Sequence, residues 1–373
     1  MLPAKRHTVW NLQDVFQSAE ASILGQDNAL RLTEVTSAIV VMVDGLGYEN
    51  LRPSSGFLQK NLGESDFAHC GFPSTTVSSL ASFASGTDVS GHGLFGYSIF
   101  NRSSNQQINL LSGLDRFSIL DYLKIEPISA RSIVKVHAVT LEDYEESGFT
   151  RATMHGAVHH YAQEIEDRLE IARSLAIDEP GSLVYVYAPE LDREAHRSGV
   201  GGSNWKDLLA KFDRAIQKTV AKLKPGVGLL VTADHGIVDV SASDHIFLDD
   251  CPAAKNSLSN VSGDPRAPYL YLSEPEQLQE IRGQLIEFLS DRAFVAEPGE
   301  LVELGYWSAK LLEEDDLMPD LVVIARRSFA LFHRDFAKPS SLLMVGHHGS
   351  IDEVETKVPI LRFGDYSSSL LVP

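Results

Sequence analysis

The sequence predicts an α/β protein: a mostly parallel central sheet with helices on both faces, and a smaller α+β insertion. Two observations carry this. Apolar runs of strand length alternate with longer runs of helical periodicity, the pattern of a sheet covered on both sides. Three of the apolar runs end in a carboxylate, at Asp44, Asp192 and Asp234. Ligands of open α/β sheets bind outside the carboxyl ends of the strands, so the three acids converge if those strands are neighbours.

The elements follow in order. "SAIVVMVDGLG" reads as a buried strand ending in Asp44, and "ENLRPSSGFLQKNLG" as a broken helix. "DFAHCGF" is a second strand, "TVSSLASFASG" a helix stopped by Gly86. "LFGYSIFN" and "QQINLLSG" form a hairpin and "ARSIVKVHAV" a strand. "HHYAQEIEDRLEIARSLAI" is an amphipathic helix, "GSLVYVYAPELD" a strand ending in an acid, "WKDLLAKFDRAIQKTVAKL" a helix and "VGLLVTADHG" a strand. Between about residues 241 and 344 the pattern loosens into "RAPYLYLS", "PEQLQEIRGQLIEFLSDR" and "DLVVIARR", a β-α-β insertion, before "LLMVGHHGS" returns. Residues 1–373 thus read as one domain carrying a smaller subdomain at about residues 241–344.

The 373 residues and their 43% hydrophobic content suit a large globular core. A formal net charge of −19 argues against a nucleic-acid polymer or an anionic membrane as partner. Cys70 and Cys251 are the only cysteines, too few for a disulfide framework. The N-terminal "MLPAKRHTVWNLQDVFQ" has no apolar core of a signal peptide, and "AIVVMV" is too short to span a bilayer, so a cytoplasmic location is expected.

Four clusters carry chemistry. "VDGLG" places Asp44 before glycines; such an Asp is as often a turn residue. "PELDREAH" sets Asp192 and His196 four apart, one helical turn, within reach of one ion. "TADHG" puts Asp234 beside His235, with Gly236 allowing a sharp turn. "GHHGS" offers His347 and His348. Any one of these histidines alone reads as a structural residue. Together, Asp and His suit Zn²⁺ or Mn²⁺ better than an all-oxygen Ca²⁺ or Mg²⁺ site, and the ligand supply exceeds one zinc. "GFPSTTVSSLASFASG" adds hydroxyls at a helix start, where they serve as caps or where one is a nucleophile. Gly91, Gly93 and Gly96 match G-x-G-x-x-G but follow a helix and precede a strand, the wrong context for a dinucleotide site.

The ordered set, strand-Asp-Gly, Pro-Ser-x-Thr, Asp-x-x-x-His, Asp-His-Gly and Gly-x-His-Gly, resembles the alkaline phosphatase superfamily, most closely its nucleotide pyrophosphatase/phosphodiesterase branch. The resemblance runs from about Val40 to Ser350. It implies two divalent ions, zinc or else manganese. Asp44, Asp234, His235 and Thr76 would hold one, and Asp192, His196 and His348 the other. Thr76 would be the nucleophile, with Thr75 the adjacent alternative. Ser79 would contact a phosphate oxygen where the branch carries a longer Asn. The implied activity is hydrolysis of phosphodiester or nucleotide pyrophosphate bonds in a small phosphorylated substrate, through a phosphothreonine. The alternatives are a phosphomonoesterase or phosphomutase of the same superfamily, or a non-catalytic metal-binding member. The settings of a Ser phosphatase nucleophile and of a sulfatase Cys/Ser are both absent.

Overall fold

The computed structural model describes residues 2–5, 10–112 and 122–368. Met1, residues 6–9 of the N-terminal stretch and Gly113 at the end of the predicted hairpin lie outside them. In chain order, α1 (Gln13–Ile23) precedes β1 (Ser37–Val43), β2 (Phe67–His69) and α2 (Thr76–Ser85). β3 (Ser98–Asn101) and β4 (Gln106–Asn109) form the hairpin. β5 (Lys135–Thr140), β6 (Val158–Tyr161), α3 (Ile165–Asp178) and β7 (Ser182–Ala188) follow. Next come α4 (Glu190–Ser198), α5 (Ser203–Val220), β8 (Val227–Thr232) and β9 (Val238–Asp239).

The central sheet has six strands in the order β6, β5, β7, β1, β8 and, at the far edge, β18 (Leu361–Gly364), which follows β17 (Lys357–Pro359), the antiparallel partner of β2. All neighbours pair in parallel except β18, which runs antiparallel to β8. Every residue of β1, β7 and β8 is buried, as a sheet covered on both faces requires. α1 and α2 pack together, and α3 packs with α5. The register sets Val43 beside Ala188 and Met42 beside Thr232, so β7, β1 and β8 end side by side.

Three elements differ from the sequence reading. "HHY" is the edge strand β6, and the helix starts only at Ile165; histidine and tyrosine at a half-exposed sheet edge carry no helical period. The run ending at Asp192 stops being a strand at Ala188, because Pro189 opens α4. The strand predicted from Ala130 begins at Lys135, after a helical turn at Ile128–Arg131. The sequence reading also passed over α1, although Val15, Phe16, Ala19 and Ser22 bury one helical face.

The chain leaves the central sheet at β9 and returns at β16 (Gly346–His347), and these two strands pair antiparallel. Between them lie β10 (His245–Phe247), β11 (Leu258–Asp264), β12 (Ala267–Leu272), α6 (Leu278–Leu289), β13 (Ala293–Ala296), β14 (Leu321–Ala325) and β15 (Ala330–Phe332). β11, β12, β14 and β13 make an antiparallel sheet with both faces buried. Tyr269, Tyr271, Val322 and Ile324 face the main core, while Leu270, Leu272, Leu321 and Val323 join Ile281 and Leu285 in a second one. This is the two-residue alternation of a strand, with apolar residues on both sides.

Arg266, at the β11–β12 turn, fastens this sheet to the segment that follows β16. Its guanidinium is fully buried, with Nη2 bonded to Glu355 and, at 3.1 Å, to Asp352, and Nη1 bonded at 2.6 Å to the Arg327 carbonyl. Glu355 in turn accepts the Ser350 N–H at 3.0 Å, which pins the segment just after His348. Arg266→Ala leaves Glu355 as an unpaired buried carboxylate and is expected to cost about 3–5 kcal/mol. Urea unfolding reads this directly; a loss below about 1 kcal/mol, the scale of a solvent-exposed pair, would mean the pair is not the fastening.

Candidate active site

The carboxyl ends of β1, β7 and β8 deliver three acids to one place. Asp44 follows β1 directly, and Gly45 turns the chain at φ 73°. Asp234 lies just beyond β8. Asp192 sits in the first turn of α4, so His196 stacks above it one turn later. His348 arrives from the other direction, on the strand pair that closes the insertion. At the Asp234-His235-Gly236 turn the backbones are in contact. A Cβ on Gly236 would stand 1.9 Å from the Val354 carbonyl oxygen.

The side chains named from the sequence form two touching groups. His196 Nε2 lies 3.2 Å from Asp192 Oδ2, and His348 Nε2 lies 3.9 Å from Asp192 Oδ1. His235 Nε2 lies 3.4 Å from Asp44 Oδ1 and 3.5 Å from Asp234 Oδ2. The rings of His235 and His348 stack at 3.7 Å, which joins the groups. Asp192 belongs to both: its ligand atoms fall within 4.8 Å of those of His196 and His348, and of those of Asp44 and His235. His347 turns away, with Nε2 3.2 Å from the Met344 carbonyl.

Each carboxylate spends one oxygen on the protein and leaves the other without a partner. Tyr187 donates to Asp44 Oδ2, and Oδ1 is orphaned. The N–H groups of Gly45 (3.1 Å) and His235 (3.0 Å) hold Asp234 Oδ1, and Oδ2 is orphaned. Asp192 Oδ1 is orphaned likewise. The histidines are complementary. His196 Nδ1 is 2.8 Å from the Gly346 carbonyl, His235 Nδ1 3.2 Å from that of Gly236, and His348 Nδ1 3.1 Å from that of Ser74. A carbonyl only accepts, so each Nδ1 carries the proton and each Nε2 turns a lone pair inward.

Buried oxygens without donors beside inward lone pairs are a donor set for cations. The electrostatics agree. Burial, then the neighbouring Asp234 and Asp192, push Asp44 well above the usual carboxylate range. Burial also raises Asp234. Burial and then His235 push His348 well below the usual imidazole range, which keeps it a neutral ligand. Burial raises Asp192 too, but His196 beside it wins and holds it low. Burial lowers His196, but Asp192 in turn raises it. These two form an ion pair, and only the neutral form of His196 offers Nε2 as a lone pair. The cluster holds more negative charge than the protein neutralises, a deficit that bound cations would supply.

Thr76 opens α2 with Oγ1 3.1 Å from His235 Nε2. The sequence suggested hydroxyl caps there, yet no side chain caps this helix. Ser74 Oγ instead donates to the Ser350 carbonyl at 2.6 Å, and Thr75 Oγ1 turns to Asp264 at 3.5 Å. The leading N–H groups of α2 are left for an anion. Ser79, predicted to contact phosphate, lies one turn deeper beside Cys70 and is not part of the cavity wall. His92, in the glycine-rich loop, pairs with Ser82 at 3.0 Å and has a structural role.

A cavity of about 690 Å³ opens over Thr76 and the metal-ready groups, large enough for a phosphate with organic substituents. Tyr144, Phe149 and Leu111 supply apolar wall, and Arg193 and Lys338 stand on its lining. Two functional residues escaped the sequence reading. Tyr187 looked like one more apolar position of a buried strand, and Asp264 lies in the loosely patterned insertion. The "GDP" after a strand run was the available signal for Asp264.

Residues 38–351 match the model of the type I phosphodiesterase/nucleotide pyrophosphatase family. The chain belongs to that family. Its fold is shared with ectonucleotide pyrophosphatase/phosphodiesterase 5. The murine structure superposes with a TM-score of 0.67 at 18% identity, covering 88% of each chain. An inactive threonine-to-alanine variant of the murine protein, in complex with AMP, gives the same values. The human protein gives 0.63 at 16%, over 88% of this chain and 87% of its own. Among curated proteins, mouse (Mus musculus) ectonucleotide pyrophosphatase/phosphodiesterase family member 7 is 28% identical over 105 residues, 26% of this chain. That match spans 24% of the mouse protein's length.

The crowding at Gly236 is directly testable. Gly236→Ala must push the Val354 carbonyl or move His235. The substitution is expected to cost about 1–3 kcal/mol, the scale of overpacking. It should also lower turnover more than that loss of folded protein explains. Parallel melting and kinetic measurements check both; unchanged kinetics would mean that His235 need not stay where this turn holds it.

Proposed function

We propose that the protein hydrolyses phosphodiester or nucleotide pyrophosphate bonds of small substrates, with Thr76 as nucleophile and two divalent ions in place. The observation that carries this is the position of Thr76 Oγ1, 3.1 Å from His235 Nε2 at the start of an uncapped helix. Two further facts support it. The family is one of phosphoric-ester hydrolases. The murine phosphodiesterase 5 variant solved with AMP is described as inactive with a threonine replaced by alanine.

Asp44, Asp234 and His235, with Thr76, would hold one ion, and Asp192, His196 and His348 the other; zinc fits the mixed Asp/His set, with manganese as the alternative. When bound, the ions would supply Lewis acidity, lowering the pKa of the Thr76 hydroxyl and neutralising charge on the phosphoryl oxygens. Thr76 Oγ1 attacks phosphorus in line and forms a phosphothreonine as the ester leaving group departs. The uncapped N–H groups of α2 orient the phosphoryl oxygens. Water then cleaves the phosphothreonine and restores Thr76. Tyr187 keeps Asp44 turned so that Oδ1 faces the site.

Thr76→Ala is expected to lower kcat by about 10³-fold or more, because it removes the covalent route. Thr76→Ser should keep part of the activity, and Thr75→Ala should lose less than about tenfold, the scale of one hydroxyl contact. Rapid quenching with labelled substrate should trap phosphate on Thr76. Label on Thr75 or Ser74 would shift the nucleophile, and inversion at a chiral phosphorus would remove the covalent step.

Chelation should lower the melting temperature and abolish turnover, since the unpaired carboxylates then face each other without cations. Zn²⁺ or Mn²⁺ should restore both. A protein indifferent to chelator would contradict the metal requirement.

A further inference from the structure

We propose that Asp264, contributed by the insertion, makes the site prefer phosphodiesters to phosphomonoesters by setting a carboxylate against the phosphoryl group. This rests on the phosphoryl-transfer reading above and names the substrate charge that the site accepts. Asp264 ends β11, lines the reaction cavity and is only 7% exposed. Its Oδ1 is 3.5 Å from the hydroxyl of Thr75, the residue before the nucleophile, and its Oδ2 is 3.5 Å from the Tyr97 N–H. Both contacts are at the outer limit of a hydrogen bond, so the carboxylate is buried but weakly satisfied. Its Cβ packs against Gly349, next to His348.

No cation of the described protein pairs with it. The nearest in sequence, Arg266, turns its guanidinium to Glu355 and Asp352. Arg193 of the cavity wall is held by the Tyr144 hydroxyl at 2.8 Å and lies over that ring. Among the described residues the Thr75 and Thr76 hydroxyls pair with Asp264 and His235 and with no arginine or lysine, and Lys338 of the cavity lining forms no ion pair with Asp264. A carboxylate kept bare beside the reaction centre is costly, and its effect falls on the substrate. A diester offers one negative charge; a monoester dianion offers a second, in a site whose donors already include three carboxylates. Burial raises the Asp264 carboxyl to about 7, so its charge is fully present only above that pH, and the two esters are compared there.

The test compares bis-p-nitrophenyl phosphate with p-nitrophenyl phosphate, which share a leaving group, on the metal-loaded protein and Asp264→Asn. Calorimetry of inorganic phosphate binding runs alongside. The variant should raise monoester kcat/KM about tenfold or more, the scale of one removed neighbouring charge, and change the diester value less than about threefold. Inorganic phosphate should bind more tightly by a similar factor. An unchanged ratio with unchanged phosphate affinity, or an equal fall for both esters, overturns the proposal. Asp264→Ser, which removes the charge with a smaller side chain, answers the same question if the Asn variant does not fold. Phosphate binding is read without turnover. A protein inactive on both esters would therefore sink the hydrolase reading, and the phosphate shift would still decide the role of Asp264.

Discussion

The structure depends on three carboxylates, Asp44, Asp192 and Asp234, buried together at the ends of adjacent strands. Burying one unpaired charge is expensive, and burying three in contact is worse. The surrounding construction makes sense as a response to that cost. Tyr187 and two backbone N–H groups take one oxygen each of Asp44 and Asp234. Three backbone carbonyls set three imidazoles with their lone pairs inward. What is left over, an unpartnered oxygen on each acid, is the demand that cations would meet.

The insertion belongs to this arrangement. Its two ends are zipped together as β9 and β16, which brings His348 back beside His235. Arg266 then locks the inserted sheet to the segment after His348 through Glu355. Because its sheet packs on both the main core and its own helix, the inserted unit sets Asp264 beside the start of α2. The subdomain therefore holds a catalytic-side histidine in place and contributes to the cavity wall.

The central sheet was legible in the sequence because β1, β7 and β8 are buried on both faces and read as unbroken apolar runs. The six Asp and His positions that the structure brings together stood out for a related reason: glycine or a strand end flanks three of the clusters, and Asp192 and His196 lie one helical turn apart. Less could be read where contacts come from far away. Tyr187 shares a face of β7 with Tyr185 and differs only in lying nearer the carboxyl end of the strand, where its hydroxyl meets Asp44 arriving from β1. The lead hydroxyls of α2 looked like caps, but Ser74 and Thr75 are claimed by Ser350 and Asp264, far along the chain. Ser79 was placed by family spacing alone, and helix geometry carries it a turn below the cavity. The edge strand β6 hid in a helical pattern because a half-exposed edge needs no alternation.

The proposed role of this cluster is to hold two cations around Thr76. Anomalous diffraction from crystals grown with Zn²⁺, recorded on both sides of the zinc edge, tests it most directly. Two peaks are predicted, one bounded by Asp192, His196 and His348 and the other by Asp44, Asp234 and His235 with Thr76. Full crystals without a peak at either position, or with zinc bound only elsewhere on the acidic surface, would contradict the account.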